Sequence, residues 1–587
     1  MNTLAKHISS PIFVLSIGFS LMVAFLSIST ELPADEVNAR PSLNGTWKWE
    51  SGFVRFAIQL RHEADNKLSG NLTIGLVNGP DFDSVEIEAG ICGGHDFAFT
   101  ATGKFTPNQE ASTFKFEGAM IDGRLEGTYQ TSAYPHSLNW SAQRVVGWRN
   151  DGSGHSFCSG PDPNKPLKQL WRTELPHRSN GSPILVGDRV FVTAEPNLLI
   201  CLSAITGEIL WQRTTSYLDL DEKALTPPVR KTIKAAELEL LKKFSPDGLQ
   251  LTHNPWTVAD EEELPERYQR PKVHLDAGYT TPTPASDGKS VFVHFGTWLV
   301  ASYTLDGNQR WCTYPVKPDI NWGHASSPVL CGGKLIIHAQ DCLALDPETG
   351  KELWRTPVRK RWATPCVMEP SWVVLGGGEV LRVDNGKIVQ DLFPHDKPCD
   401  PLVDYWGASS PVVDGNSVYF VDATPVDRNE KVRPTVQRFD LCVFNAPQIE
   451  FKKAWSKVLP NGKYYASPVV RDGKLFVVIS TYIDKWDDYD GILNKRANGT
   501  LLILSTETGG PVGPGIQLGR DTGTYHTCSF ASNSLWITGH TGELRILPSA
   551  RASSTLSLQS LPARSHPLFL GEDVIVRGDQ AIVRYSN

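Results

Sequence analysis

The sequence predicts an all-β chain: an eight-bladed β-propeller of four-stranded antiparallel blades, preceded by a small antiparallel β-barrel or sandwich. Two observations predict it. A unit recurs through the last two thirds of the chain: a small residue and Pro, an apolar strand, a Gly turn, two more strands, then a turn and a Trp. Ahead of the repeat, six segments alternate apolar and polar residues with the period of two that half-buried strands require.

The elements follow in chain order. Lys6 and His7 precede an apolar run from Pro11 to Ile28, and Val37-Asn38-Ala39 and the region of Ala34 offer small-residue cleavage sites. Residues 1–39 therefore read as a signal peptide, with an uncleaved signal anchor as the alternative. No later stretch approaches the roughly 18 apolar residues of a membrane helix. The expected location is outside the cytoplasm, periplasmic or secreted. Residues 43–148 form the small β-domain: Asn44-Gly45-Thr46-Trp47 opens a strand, and FVRFAIQL, KLSGNLTIGLV, FAFTATGKF, TFKFEGAMI, GRLEGTYQ and SLNWSAQRV follow. The Gly-Thr-Trp start resembles lipocalin-like barrels, which implies either an interior ligand or a filled core. Residues 149–166 read as a linker.

The ring occupies residues 167–587. Ser182-Pro183, Thr283-Pro284, Ser327-Pro328, Thr364-Pro365, Ser410-Pro411 and Ser467-Pro468 each lead a copy, and degenerate copies begin at Thr527-Cys528 and His566-Pro567. Without the insert 217–275 this leaves about 45 residues per copy, the size of a propeller blade. A lone four-stranded sheet cannot bury both faces, whereas eight around an axis can. The final copy lacks a fourth strand, and Leu170-Trp171-Arg172 ahead of the first copy supplies one, closing the ring. Within the insert, Ile233, Ala236, Leu240, Leu241 and Phe244 share a helical face, with Pro227-Pro228 and Pro246 as brackets.

Charge and cysteine usage exclude several classes. The net charge of −7 gives no electrostatic case for nucleic acid or anionic lipid. The ten cysteines include no Cys-x-x-Cys and no zinc spacing. Cys201, Cys342 and Cys442 fall in corresponding strands and read as small core residues; Cys92 with Cys158 is the pair to test for a disulfide. There is no Gly-x-Ser-x-Gly, His-Glu-x-x-His, phosphate loop or dinucleotide fingerprint.

The stretch Ala344-Leu345-Asp346-Pro347-Glu348-Thr349-Gly350-Lys351-Glu352-Leu353-Trp354 resembles the A-x-D-x-x-T-G-x-x-x-W motif of pyrroloquinoline-quinone (PQQ) type propellers, and Leu202 to Trp211 is similar with the Asp replaced. The resemblance implies that Trp171, Trp211, Trp311, Trp354 and Trp455 pack between blades. It also implies two functional classes: an exported, non-catalytic binding or scaffold module, or a PQQ-dependent dehydrogenase of alcohols or sugars holding PQQ and Ca²⁺ in its channel. The chain has no adjacent cysteines of the kind common in the alcohol-oxidising members and no haem Cys-x-x-Cys-His. The first class is favoured, with no cofactor, no catalytic residue, no metal site and a monomeric state. A polysaccharide-binding propeller is a further alternative.

The segments leading into the first strand of each copy are rich in aromatic and His residues: Asn180, Tyr279, Trp322, His324, Trp362, Tyr405, Trp406, Tyr464, Tyr465, Tyr525, His526 and His566. With the first strand innermost, these segments open on one face around the central channel. A mouth of this kind suits a flat or aromatic group of a protein, peptide or carbohydrate ligand.

Overall fold

The computed structural model describes residues 43–587, apart from 44, the stretches 146–154, 245–262, 316–322, 395–408, 423–434, 483–496, 520–525 and 558–564, and shorter gaps of five residues or fewer. Residues 1–39, expected as a signal peptide, and Cys158, Trp322, Tyr405, Trp406 and Tyr525 lie outside the described residues.

Residues 45–145 form a closed antiparallel barrel of eight strands, with Trp47 of the first opposite Arg144 of the last. Inward positions alternate along the strands, and they are filled rather than hollow. Trp49 stacks on Phe56 at 4.8 Å, Phe99 stacks on Phe116 at 4.6 Å, and Trp140 meets Trp49 at 4.6 Å. Stacked and edge-on rings at these distances give the barrel a solid aromatic core.

Eight further sheets are present among the described residues from 155 to 587. In chain order we call them blades 1 to 8, spanning 184–214, 285–313, 329–357, 366–391, 412–458, 469–519, 526–557 and 568–586. Blade 8 is completed by Lys168–Glu174, which pairs antiparallel with Ala581–Ser586. The first strands of successive blades approach one another from blade 2 to blade 7, which makes them the inner strands. The chain is thus an all-β propeller-type fold.

Two sets of contacts stitch neighbouring blades, and both explain the repeat. The first uses the Ser or Thr before each Pro. The Ser182 N–H donates to Thr283 Oγ1 at 3.0 Å, Thr283 to Ser327 Oγ at 2.9 Å, Ser327 to Thr364 Oγ1 at 3.0 Å, Thr364 to Ser410 Oγ at 3.0 Å and Ser410 to Ser467 Oγ at 3.1 Å. The His566 N–H donates to Ser182 Oγ at 3.0 Å and so joins blade 8 to blade 1. The small residue of the repeat is therefore an acceptor for a buried amide that has no partner in its own sheet. At the blade 7–blade 8 junction the pattern differs: the His566 ring reaches Ser529 Oγ at 3.0 Å and Thr527 Oγ1 donates to Ser565 O.

The second set uses the Trp of the fourth strand. Trp171, Trp211, Trp311, Trp354 and Trp455 donate Nε1–H to Ala204, Leu305, Pro347, Val383 and Thr506 carbonyls at 2.8–3.1 Å, each in the next blade. Each ring lies over a turn glycine of that blade: Gly207, Gly307, Gly350, Gly386 and Gly509 all have positive φ, and a Cβ at any of them would stand 2.5–2.7 Å from the indole. Glycine is needed twice there, for the left-handed backbone and for the close approach.

Three details differ from the sequence expectation. Pro227-Pro228 do not stand outside the helix but form its first turn, Pro227–Lys243, because proline has no amide to lose at that position. Cys201, Cys342 and Cys442 occupy three different registers: Cys201 opposes Phe191, Cys342 opposes His338, and Cys442 is exposed at a bulge between Leu441 and Val443. The long fourth-strand hairpin of blade 5 shifts its register there, so sequence alignment of the strands misplaces it. Finally, the linker contains a strand, His155–Ser156, pairing parallel with the inner strand of blade 7.

Candidate functional site: the channel mouth

The segments that lead into the inner strands are extended, and their burial alternates. Counting back from the Ser or Thr of each belt position, the residue one before is buried: Gly181, Pro282, Ser326, Ala363, Ser409, Ala466 and Ser565. The residue three before is also buried: Ser179, Thr280, His324, Arg361 and Tyr464. The residue two before is half-exposed: Asn180, Thr281, Ala325, Trp362 and Tyr465. Successive residues of an extended chain point to opposite sides, which produces this alternation.

The rule sorts the candidates. Asn180, Trp362 and Tyr465 stand at the half-exposed position. Asn180 Nδ2 reaches the Ala277 carbonyl at 3.2 Å and Thr281 Oγ1 at 3.5 Å, so blades 1 and 2 share a polar rim. Trp362 Nε1–H donates to Gly323 O at 3.0 Å, which ties its indole to the preceding lead-in. Tyr279, His324, Tyr464 and His566 are turned into the protein. Tyr279 donates its hydroxyl to Pro271 O at 2.8 Å and meets Phe244 edge-on; Tyr464 donates to Pro460 O at 2.7 Å. His526 begins the inner strand of blade 7, opposite Gly539. Thr281 was missed because it is neither aromatic nor ionisable; the count from the Ser/Thr-Pro pair would have found it.

Beneath the rim lies a buried polar layer that no short motif announces. The second strand of each blade carries one inward position, occupied by Thr193, His294, His338, Thr538 and Arg577 in blades 1, 2, 3, 7 and 8. Four of these meet a carbonyl of the next lead-in: Thr193 Oγ1 reaches Thr280 O, His338 Nε2 lies 3.0 Å from Arg359 O, Thr538 Oγ1 donates to Ser565 O, and Arg577 Nη1 donates to Gly181 O. His294 instead packs its ring 4.4 Å from that of His324 and 5.7 Å from Trp298. Burial holds both histidines neutral: His324 is pushed down to about 3 and His294 falls well below the usual imidazole range, with their mutual proximity adding to the shift of His294.

The two buried carboxylates of this layer take internal donors, Glu195 on both oxygens and Glu379 on Oε1 alone, its buried Oε2 having no hydrogen-bond partner among the described residues. Glu195 accepts from the Tyr279 and Thr280 amides at 2.9–3.0 Å and from the Thr280 hydroxyl at 2.6 Å; burial nonetheless raises its pKa, partly offset by these donors and by Arg178. Glu379 accepts from the Arg359 amide at 2.9 Å, and the Arg359 guanidinium lies 3.5 Å away while also pairing with Asp391. Among the described residues, no group of three or more His, Cys, Asp or Glu is arranged to hold a metal ion. Ca²⁺ needs several oxygens, and the described carboxylates do not fit that demand, so no step through a PQQ–Ca²⁺ pair is derived. What this mouth offers is a rim of amide, hydroxyl, phenol and indole groups over a buried layer of neutral histidines, hydrogen-bonded carboxylates and the Arg577 guanidinium: a surface for recognition by stacking and hydrogen bonding.

A family model described as outer membrane protein assembly factor BamB matches residues 166–239 and 298–433. No curated protein matches the chain. Similar solved structures include BamB from Moraxella catarrhalis, at 9% identity and TM-score 0.46, covering 72% of this chain and 100% of that one. A europium-containing methanol dehydrogenase is similar at 10% identity and TM-score 0.46, covering 72% and 93%. The quinohemoprotein alcohol dehydrogenase from Comamonas testosteroni is similar at 10% and 0.45, covering 74% and 78%. The family match falls on blades that carry the Trp-over-Gly clasp and the Ser/Thr belt, and over those residues the repeat region is similar to the PQQ-like β-propeller family.

Proposed function

We propose that this chain is an exported binding or scaffold module that holds a protein, peptide or carbohydrate ligand at the mouth of its propeller. The observation that carries the reading is the half-exposed rim formed by Asn180, Thr281, Trp362 and Tyr465, set at equivalent positions on four lead-in segments while their neighbours on either side are buried. Trp322, Tyr405, Trp406, Tyr525 and His526 precede or open blades 3, 5 and 7 in the sequence and are assigned to the proposed site on that ground; Tyr279, His324, Tyr464 and His566 support it from beneath. The BamB-like family match makes a protein partner the leading choice.

The test places a photo-crosslinking amino acid at 362, at 465 and, as control, at the exposed outer position 353 in the native host. Adducts to one partner from 362 and 465 but not from 353 are expected. Equal labelling from all three refutes the mouth. Stoichiometric uptake of PQQ with Ca²⁺ by the purified chain, with dye reduction by alcohols or sugars, replaces the reading by the dehydrogenase alternative. Retention on immobilised polysaccharide, lost in Trp362→Ala, replaces it by the carbohydrate alternative.

A further inference from the structure

The inner strand of a propeller blade has a free edge towards the channel, because only its outer side is paired within the blade. In blade 7 that edge is not free. The linker strand lies along it in parallel, with His155 opposite Phe530 and Ser156 opposite Ala531, and the sheet becomes five-stranded with the linker on its inner side. Since His526–Ala531 is the inner strand, the linker strand stands inside the channel. The chain then leaves through a shaped exit. Gly160, at φ +66°, sits where a Cβ would be 3.0 Å from Ala531 Cβ and 3.1 Å from the Phe569 ring, and Gly160 and Pro161 are both buried. Asn587 then holds the next segment: its side chain accepts from the Asp162 amide and donates to the Asp162 carbonyl at 3.3 Å and the Lys165 carbonyl at 3.4 Å.

These features divide into a firm part and a weak part. The exit at 160–165 is packed and hydrogen-bonded, whereas the strand itself spans two residues. A pairing of two residues adds one or two hydrogen bonds of small net worth, and it is retained because the covalent tether keeps the strand at an effective concentration in the millimolar range. We propose that the inner edge of blade 7 is a strand-accepting site for an extended peptide, filled in this chain by its own linker and open to the same kind of segment in trans when the linker strand is released. The occupant is defined by what the site contacts: an extended backbone beside Phe530 and Ala531, followed four residues later by a glycine that passes between Ala531 and Phe569. This proposal shares His526 with the mouth reading, but the contacts it rests on, Phe530, Ala531 and Gly160, are not mouth residues, and the rim residues Trp362 and Tyr465 used to test the mouth lie on the lead-ins to blades 4 and 6, so either can fail alone.

The experiment uses the full chain, two variants and a labelled synthetic peptide of residues 151–163. Ser156→Pro removes the amide of the linker strand, and Gly160→Val blocks the exit by strain and clash. Hydrogen exchange of the segment 526–531 should be slow in the wild type and at least tenfold faster in either folded variant. The peptide should bind Ser156→Pro saturably, slow that exchange again, and fail to bind the wild type; a scrambled peptide should bind neither. Fast exchange of 526–531 in the wild type, exchange unchanged in both variants, or equal binding of the peptide to wild type and variant each overturns the proposal. Unfolding midpoints identify variants that have lost the fold, and the wild-type exchange measurement decides the matter even if both have.

Discussion

Replacing Gly350 by Ala tests whether the turn glycine and the tryptophan of the preceding blade act as one unit. Gly350 has φ +71°, and its Cβ would stand 2.5 Å from Trp311 Cε3 and 2.6 Å from Cδ2. The left-handed backbone alone costs an L residue about 1–2 kcal/mol. Both ring atoms belong to a rigid indole, so the ring must move as a whole, and its 2.9 Å hydrogen bond to Pro347 O goes with it. That loss adds about 1 kcal/mol, and the opened contact between blades adds a similar amount through lost packing. The expected total is about 3–4 kcal/mol. Gly333 provides an internal control: its φ is +70°, yet nothing lies within 4 Å of its Cβ position. Gly333→Ala should therefore lose only the backbone share, about 1–2 kcal/mol. Urea unfolding followed by tryptophan fluorescence, with native-state exchange of the Gly350 amide as a local probe, measures both. The double variant Gly350→Ala/Trp311→Leu should recover part of the difference. Equal losses for the two glycines, or strict additivity in the double variant, would refute the clasp.

Other outcomes follow from the same contacts. Ser327→Ala leaves the buried Thr283 amide without its acceptor and should cost about 1–3 kcal/mol, while Ser327→Thr keeps the hydroxyl and should cost less; urea midpoints decide. Tyr465→Ala should shift stability by no more than about 0.5 kcal/mol yet abolish the crosslink from position 362, because its side chain is half-exposed at the rim. His324 is neutral in the folded state to about pH 3, whereas the unfolded chain takes up a proton near 6.5. The unfolded state thus binds more protons in this window, so stability is full above pH 6.5 and falls as the pH drops towards 3. The slope is about 1.4 kcal/mol per pH unit for this group; His324→Leu should flatten that limb in urea titrations at pH 4–7.

The parts of the fold legible from the sequence are those with a period. Ser/Thr-Pro pairs, Gly turns and the Thr-Gly-x-x-x-Trp motif recur because every junction between blades needs the same acceptor and the same glycine. What the belt hydroxyls accept from was hidden, since each partner lies in another repeat: Thr283 and Ser327 are 44 residues apart. The linker strand left no trace because two residues show no alternation, and its partner lies far along the chain at Phe530. The mouth was half legible. Aromatic content located the segments, but Tyr464 and Tyr465 look alike in sequence, and only the extended backbone assigns one to the interior and the other to the rim. Of the three cysteines, Cys201 and Cys342 are core residues as expected, but Cys201 opposes the blade Trp211 while Ala344, two residues after Cys342, opposes Trp354; Cys442 alone is exposed, beside a bulge.

The Ser/Thr belt has a rotational sense. At five of its junctions the amide of one blade points to the hydroxyl of the next, and the link from His566 to Ser182 runs the same way round. These links run unbroken from blade 8 through blade 1 to blade 6, and any arc cut from that run has one amide bare at its leading end and one hydroxyl bare at its trailing end. Two complementary arcs, such as blades 1–4 and blades 5–8, therefore carry matching ends with a built-in direction. They can join in only one cyclic order, so the order of the blades around the axis is encoded in the joints as well as in the connectivity of the chain.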